Sequence, residues 1–166
     1  MSRRNLFYIN FLLIQLPQLC RTNRSFMKNV KTINKISVRS GTAEARLLKH
    51  LASGSLRGRK MMVEPGLTAY HLPDGSILEI YGPGSSYPLY LFKYGNIVVS
   101  FNVDSLKDAL VPLINDGGQL LSNIEKVCDH FVYCHVLLEK NTVIGLYQDI
   151  GPDAIDTLAL ERLGKH

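Results

Sequence analysis

The run Ile77, Leu78, Glu79, Ile80, Tyr81 sets a carboxylate inside an otherwise apolar, strand-forming stretch. In an extended chain successive side chains point to opposite faces, so Ile77, Glu79 and Tyr81 share one face and Leu78 and Ile80 the other. Enclosure among apolar neighbours disfavours the charged form of a carboxylate and suits it to general-base work or to hydrogen bonding with a ligand. The plainer alternatives are a glutamate that faces water and one paired with a nearby Lys or Arg. His71, His130 and His135 are imidazoles able to exchange protons near neutral pH. His71 stands beside Pro73, Asp74 and Gly75, which suits a turn or surface role. His135 and Cys134 fall in one strand candidate and point to opposite faces, so that strand cannot by itself form a Cys/His nucleophile. Tyr147 shares a face with Val143 and Gly145, as a pocket-lining aromatic or as core.

Other chemistry is absent as motif. There is no GxSxG, Walker, dinucleotide or zinc pattern, and GPGSSYP at 82–88 lacks the Lys and following helix that phosphate binding needs. Cys20, Cys128 and Cys134 form no CxxC pair, so neither a metal nor a disulfide framework follows. A reducing compartment, in which buried Cys acts as a small apolar residue, is the simpler expectation.

The elements that must position these residues follow from periodicity. KTINKISV at 31–38 alternates as a half-buried strand does. A helix capped by Ser40 or Thr42 follows, with Ala45, Leu47, Leu48 and Leu51 as its apolar stripe and Gly54 and Gly58 ending it. Strand-forming runs on either side of Pro73, Asp74 and Gly75 predict a hairpin. The Gly, Pro and Ser of 82–88 predict a link between two halves. The pattern then restarts with a strand at 96–103 and a helix capped by Asp104 or Ser105. Its face carries Leu106, Leu110, Leu113 and Ile114, Pro112 bends or shortens it, and Gly117 and Gly118 stop it. Strand candidates follow in QLLSNIEKV, HFVYCHVLLE and NTVIGLYQDI. GSILEIY at 75–81 matches NTVIGLY at 141–147 at an offset of 66, and Ser37-Val38 matches Asn102-Val103 at 65. The chain thus reads as a doubled unit.

With 166 residues, 46% hydrophobic and 20% charged, the chain suits a single buried core. Its net charge of +5 suggests nucleic acid only until the charge is located. Residues 1–43 hold eight Lys or Arg and no acid, whereas residues 44–166 hold 11 basic residues against 14 acidic ones. A mildly acidic domain has no phosphate-neutralising groove, so no nucleic-acid partner is expected. Residues 1–26 carry Arg3 and Arg4 before an apolar run at 6–16 that is too short to span a bilayer, so no membrane partner is expected for the folded domain. They read as a disordered extension or a targeting peptide. A cytoplasmic location is favoured, with secretion or organelle import the alternative. The tail, 151–166, suggests a short helix from Pro152 with Ile155, Leu158 and Leu163 packing on the sheet.

PDGSILEIYGPG at 73–84, VVSFNVDSLKDALVPLINDGGQLL at 98–121 and NTVIGLYQ at 141–148 resemble the vicinal oxygen chelate superfamily, the group of glyoxalases, extradiol dioxygenases, fosfomycin thiol transferases and bleomycin-binding proteins. The resemblance covers about residues 31–150. It implies an α/β (α+β) domain over 27–150 in which two βαβββ units, 31–84 and 96–150, form an open curved mixed sheet around a pocket. Metal-dependent members of that superfamily hold a divalent ion through one residue near the start of the first strand and one on the last strand of each unit, and the ion acts as a Lewis acid. Glu79 matches the last-strand position of the first unit. Gly145 stands at the corresponding position of the second, Val98 where the second unit would offer His, and Ile33 and Asn34 supply no donor in the first. One carboxylate with waters holds such an ion weakly, so no metal and no other cofactor is expected.

Three functions follow from the resemblance. The first is a glyoxalase-like or bleomycin-resistance-like module that binds a small organic molecule without metal, using Glu79, Tyr81, Ser100 and Tyr147 as contacts, Glu79 as the residue that could act catalytically, and Gly145 to leave room. The second is a lyase, isomerase or dioxygenase with one divalent ion held by Glu79 and other residues. The third is a degenerate dimerisation or partner-binding domain, in which side chains fill the space at Glu79 and Gly145. A homodimer is expected, since a βαβββ pair leaves strand edges open to pairing.

Overall fold

In the computed structural model, which describes residues 28–126 and 130–150, the alternating run becomes strand β1 (Val30–Arg39). Helix α1 (Ala43–Ser53) follows, and Thr42 caps it by accepting a hydrogen bond from the Ala45 amide at 3.1 Å. Ala45 and Ala52 are the buried positions of α1, so the packed stripe runs through 45, 48 and 52. Leu47, expected on that stripe, is 46% exposed, because it lies more than a quarter-turn from the nearest position of the stripe. Strands β2 (Arg59–Glu64), β3 (Leu67–His71) and β4 (Ile77–Tyr81) complete the first unit. The β3–β4 turn is the expected one. Asp74 Oδ1 accepts from both the amide and the hydroxyl of Ser76, and Gly75 takes a φ of 88°, a conformation that costs glycine nothing.

The linker leads into β5 (Ile97–Val103), whose β-branched residues suit a strand buried on both faces. Helix α2 (Leu106–Asn115) is capped by Ser105, which accepts from the Asp108 amide at 3.2 Å, and its packed stripe is Leu106, Ala109, Leu110 and Leu113. Ile114 is 43% exposed and falls outside the stripe. Pro112 stays inside the helix rather than ending it. Proline lacks the amide that would satisfy the carbonyl four residues back, and the Asn29 side-chain amide donates to that Asp108 carbonyl instead. Short strands β6 (Gln119–Leu120) and β7 (Glu125–Lys126), then β8 (Phe131–Leu138) and β9 (Thr142–Asp149), finish the second unit. Gln148 of β9 accepts from the Leu106 amide at 2.8 Å and so ties the start of α2 to the sheet.

The nine strands form one sheet in the order β2-β3-β4-β1-β5-β9-β8-β6, with β7 also paired to β8. Each unit sets its last strand parallel to its first, and β1 and β5 join the units as an antiparallel pair. This is the paired βαβββ arrangement of the vicinal oxygen chelate fold, an open curved sheet with two helices. Leu78, Val38, Ile80, Val99, Phe101, Cys134, Ile144 and Leu146 face the helices and form the larger core. Fully burying a side chain of this size is worth about 2 kcal/mol. A smaller core of Leu67, Tyr81, Leu91, Phe92, Val98 and Val143 lies on the inner face of the curve. Among the described residues no helix is long and apolar enough to cross a membrane. The extension of 1–26, Cys20, Cys128 and the tail helix lie outside the described residues.

Candidate functional site

Strand register fixes which residues of the two units are equivalent. Lys35 lies opposite Ser100, and Ser37 opposite Val98, in the β1–β5 pair. Ser37 lies beside Glu79 in one unit and Ser100 beside Gly145 in the other. The two-fold relation between units therefore exchanges Lys35 with Val98, Ser37 with Ser100, Glu79 with Gly145 and Tyr81 with Tyr147. The offset of 66 between last strands holds. That of 65 between first strands is corrected, since Ser37 corresponds to Ser100 and not to Asn102. A slip of two residues preserves the pleat, so alternation alone does not detect it. The first-strand position of the first unit is consequently Lys35, not Ile33 or Asn34, and Ile33 packs on the helix side of the sheet.

In the first unit these positions form one hydrogen-bonded cluster. Glu79 Oε2 accepts from the Tyr81 hydroxyl at 2.7 Å and the Ser37 hydroxyl at 3.2 Å, and Lys35 Nζ lies 3.2 Å from the same oxygen. The Lys35 and Glu79 side chains are 18% and 16% exposed. Glu79 thus faces a cation and two hydroxyls, and of the alternatives open for it the paired one holds. Burial alone would lower the pKa of Lys35, but the neighbouring Tyr147 and Glu79 carry it above the ordinary lysine value, and the group is an ammonium at neutral pH. Burial, and then Glu79, push the Tyr81 phenol up, so it stays a hydrogen-bond donor.

In the second unit the same positions hold no charge. Ser100 is fully buried, and among the described residues neither its hydroxyl nor the buried Asn102 Oδ1 has a hydrogen-bond partner. A side chain on Gly145 would collide with the Ser100 hydroxyl and stand 2.9 Å from Ser100 Cβ. Gly145 therefore does not leave room for a ligand: Ser100 occupies the space that the missing side chain frees. Tyr147 stacks on Tyr133 with centroids 5.3 Å apart, and Lys35 Nζ lies 5.4 Å from the Tyr147 centroid. His135, opposite Gly145, is buried with Tyr90 OH 3.3 Å from its Nδ1. Burial, then Lys35, hold its pKa down to about 4, so the imidazole is neutral at pH 7. Cys134 points to the helix side, where burial raises its thiol to about 12 and leaves it inert. His71 and His130 are exposed.

The linker covers one end of this face. Leu91 and Phe92 are buried against Tyr81, Val98 and Val143, and Tyr81, Tyr87 and Phe92 meet edge to face with centroids 5.2 to 5.5 Å apart. Beyond Leu91, Glu44, Tyr94, Asn96, Asn141 and Thr142 rim a cleft of about 200 Å³. Glu79, Tyr81, Ser100, Gly145 and Tyr147 do not line it. Four of those five, all but Gly145, present a polar atom on the inner face.

The donors present do not fit a divalent ion. Around Glu79 stand an ammonium and two neutral hydroxyls, Val98 and Gly145 offer nothing, and among the described residues no three His, Cys, Asp or Glu side chains come together. Lys35 and Tyr133 were not among the residues selected from sequence, and His135 was singled out there without a place in the site. The correct superposition of first strands, on Val98, was the signal that would have found Lys35.

No family model and no curated protein matches the chain. Among solved structures it is similar to a hypothetical protein from Bacillus halodurans, at 14% identity and a TM-score of 0.48 over 71% of this chain and 94% of that one. It is similar too to a glyoxalase family protein from Bacillus cereus, at 15% and 0.34 over 72% and 94%. Methylmalonyl-CoA epimerase from Mycobacterium tuberculosis aligns at 12% and 0.47 over 72% and 89%. The fold assignment stands on strand order and register.

Proposed function

We propose that the chain binds a small organic molecule at the inner face of its sheet and does so without a metal ion. The observation that carries this reading is the cluster of Lys35, Ser37, Glu79 and Tyr81. It keeps polar groups on a face where burial of unpaired ones costs free energy, and it places an ammonium where a metal-dependent site would need a donor. Glu79, Tyr81, Ser100 and Tyr147 are the proposed contacts, and Gly145 serves by admitting Ser100. Glu79 is the residue proposed to act if the ligand reacts. Elemental analysis of the purified chain, then calorimetric titration with Zn²⁺, Mn²⁺, Fe²⁺ and Ni²⁺, tests the metal-free half of the reading. The expected result is no stoichiometric ion and no binding heat. A stoichiometric ion would replace this reading with that of a lyase, isomerase or dioxygenase.

A second reading has its own observation in its favour. Ser100 fills the space at Gly145 and Lys35, Ser37 and Tyr81 crowd Glu79, as a degenerate dimerisation or partner-binding domain requires, and Leu91 and Phe92, at 4% and 6% exposure, fill a further part of the inner face. Sedimentation of the full chain separates the two. A homodimer that no small molecule perturbs favours the second, and ligand-dependent stabilisation at any oligomeric state favours the first.

A further inference from the structure

We propose that the cleft at the start of β5 and β9 is a second binding site and that it takes a small organic ammonium, with Glu44 as the counter-ion. None of the contacts proposed for the inner face lines this cleft, so the inference goes beyond the binding reading above and stands or falls apart from it.

The cleft forms where two strand starts meet a helix start. β5 begins at Ile97 and β9 at Thr142, the two strands run parallel, and Glu44 stands in the first turn of α1. Of the residues that line it, Ile97 and Val99 pack with the helix-side core, and Leu91 and Val143 with the inner-face core. The cleft therefore opens at the end of the sheet, between the two cores. Leu91, Val99 and Val143 are 4%, 3% and 5% exposed and give it an apolar floor. Water finds no partner on such a floor, whereas a hydrocarbon body does. The space, about 200 Å³, exceeds the roughly 150 Å³ that holds one benzene ring, so it suits a body of about six to nine non-hydrogen atoms.

The rim decides the charge of the ligand. Glu44 is exposed, is the one lining residue with a formal charge, and is in no ion pair among the described residues. Two cations stand near the rim, and each already has a partner. Arg39 Nη2 donates to Asn96 Oδ1 at 2.8 Å, and Lys93 Nζ lies 5.1 Å from the Tyr94 centroid. Asn141, just before β9, takes a φ of 61°, a left-handed conformation that asparagine tolerates, and with Thr142 it brings neutral oxygens to the rim. An ammonium carries three donors and no acceptor, which matches one carboxylate and neutral oxygens. A carboxylate ligand would meet Glu44 as a like charge.

The test uses the full chain at neutral pH and low ionic strength. Benzylamine is the ammonium probe, benzyl alcohol its neutral counterpart of equal size, and benzoate the anion. Calorimetry reads affinity, and methyl and amide NMR reads place, for the parent, Glu44→Gln and Glu44→Ala. Glu44 is exposed, so neither change opens a core. Benzylamine is expected to bind the parent most tightly of the three and to shift the methyl signals of Leu91, Ile97 and Val143. Both variants should weaken it about three- to fivefold, the scale of a solvent-exposed ion pair, and leave benzyl alcohol unchanged. Added salt should shrink that difference. The inference is overturned if benzylamine does not bind, binds no better than benzyl alcohol or benzoate, or binds both variants as it binds the parent. Shifts confined to the amides of Lys35 and Glu79 overturn it too, while supporting the reading at the inner face.

Discussion

The first unit places Lys35, Ser37, Glu79 and Tyr81 on the inner face, and the second places Val98, Ser100, Gly145 and Tyr147 at the equivalent positions. Serine and tyrosine are kept in both, while the charged pair exists in one alone. The consequence is clearest at the serines. Ser37 donates to Glu79 at 3.2 Å, whereas Ser100 faces a glycine and has no partner among the described residues. The same residue at the same place is satisfied or orphaned according to what the last strand presents to it. Tyrosine shows the same division, since Tyr81 donates to Glu79 and Tyr147 instead stacks on Tyr133 beside Lys35. Doubling a unit therefore preserves a backbone and leaves its chemistry free to diverge.

The largest effect should come from breaking the charged pair. Glu79→Gln keeps an acceptor for Tyr81 and Ser37 but leaves Lys35 without a countercharge. It should cost about 3 kcal/mol in urea unfolding, the low end for a broken buried pair because both side chains touch solvent, while the fold persists and ligand binding changes. Adding Lys35→Met should return at least half of the loss. A cost no greater than the roughly 0.5 kcal/mol of an ordinary surface change would show the pair to be solvated. On the other side of the two-fold, Gly145→Ala drives a methyl group into Ser100 and should cost about 2 kcal/mol, the usual scale for overpacking. Ser100→Gly in the same chain should relieve much of that cost, and additive losses would mean that the two residues do not share the space.

The smallest effects discriminate most finely. Ser37→Ala should destabilise by about 1 kcal/mol through loss of the bond to Glu79, while Ser100→Ala should be neutral or slightly stabilising because the hydroxyl it removes is buried and unpaired. Parallel denaturation curves for the two variants are sufficient. Equal losses would contradict the asymmetry between units.

Much of the frame was legible in the residues. Alternation in 31–38, the strand-forming residues of Ile97–Val103, the Asp74 turn, the Thr42 and Ser105 caps and the repeat of a strand ending in Tyr are local signals, and local chemistry carries them. The breadth of the helix stripes was overread, at Leu47 and Ile114, because each lies about 80° or more around its helix from the nearest buried position and turns toward solvent. The Asp108 carbonyl that Pro112 leaves without an amide accepts from Asn29, a partner 79 residues away that no local pattern indicates. In the site, Glu79 and its face were legible from alternation. Lys35 was not, because a two-residue slip leaves polar and apolar positions unchanged and only hydrogen-bonded register separates the two alignments.

By itself, the sequence determined a doubled unit of strands and a capped helix with Glu79 and Tyr81 on a common strand face, since strand pleat, helix caps and turn chemistry act over a few residues. The βαβββ form of each unit was what the resemblance implied. Only the tertiary structure decided that Lys35 meets Glu79, that Ser100 fills the space above Gly145, and that Leu91 and Phe92 from the linker cover part of the inner face. Each of these is a contact between strands or loops far apart in the chain, and its distance is set by how the sheet pairs and curves.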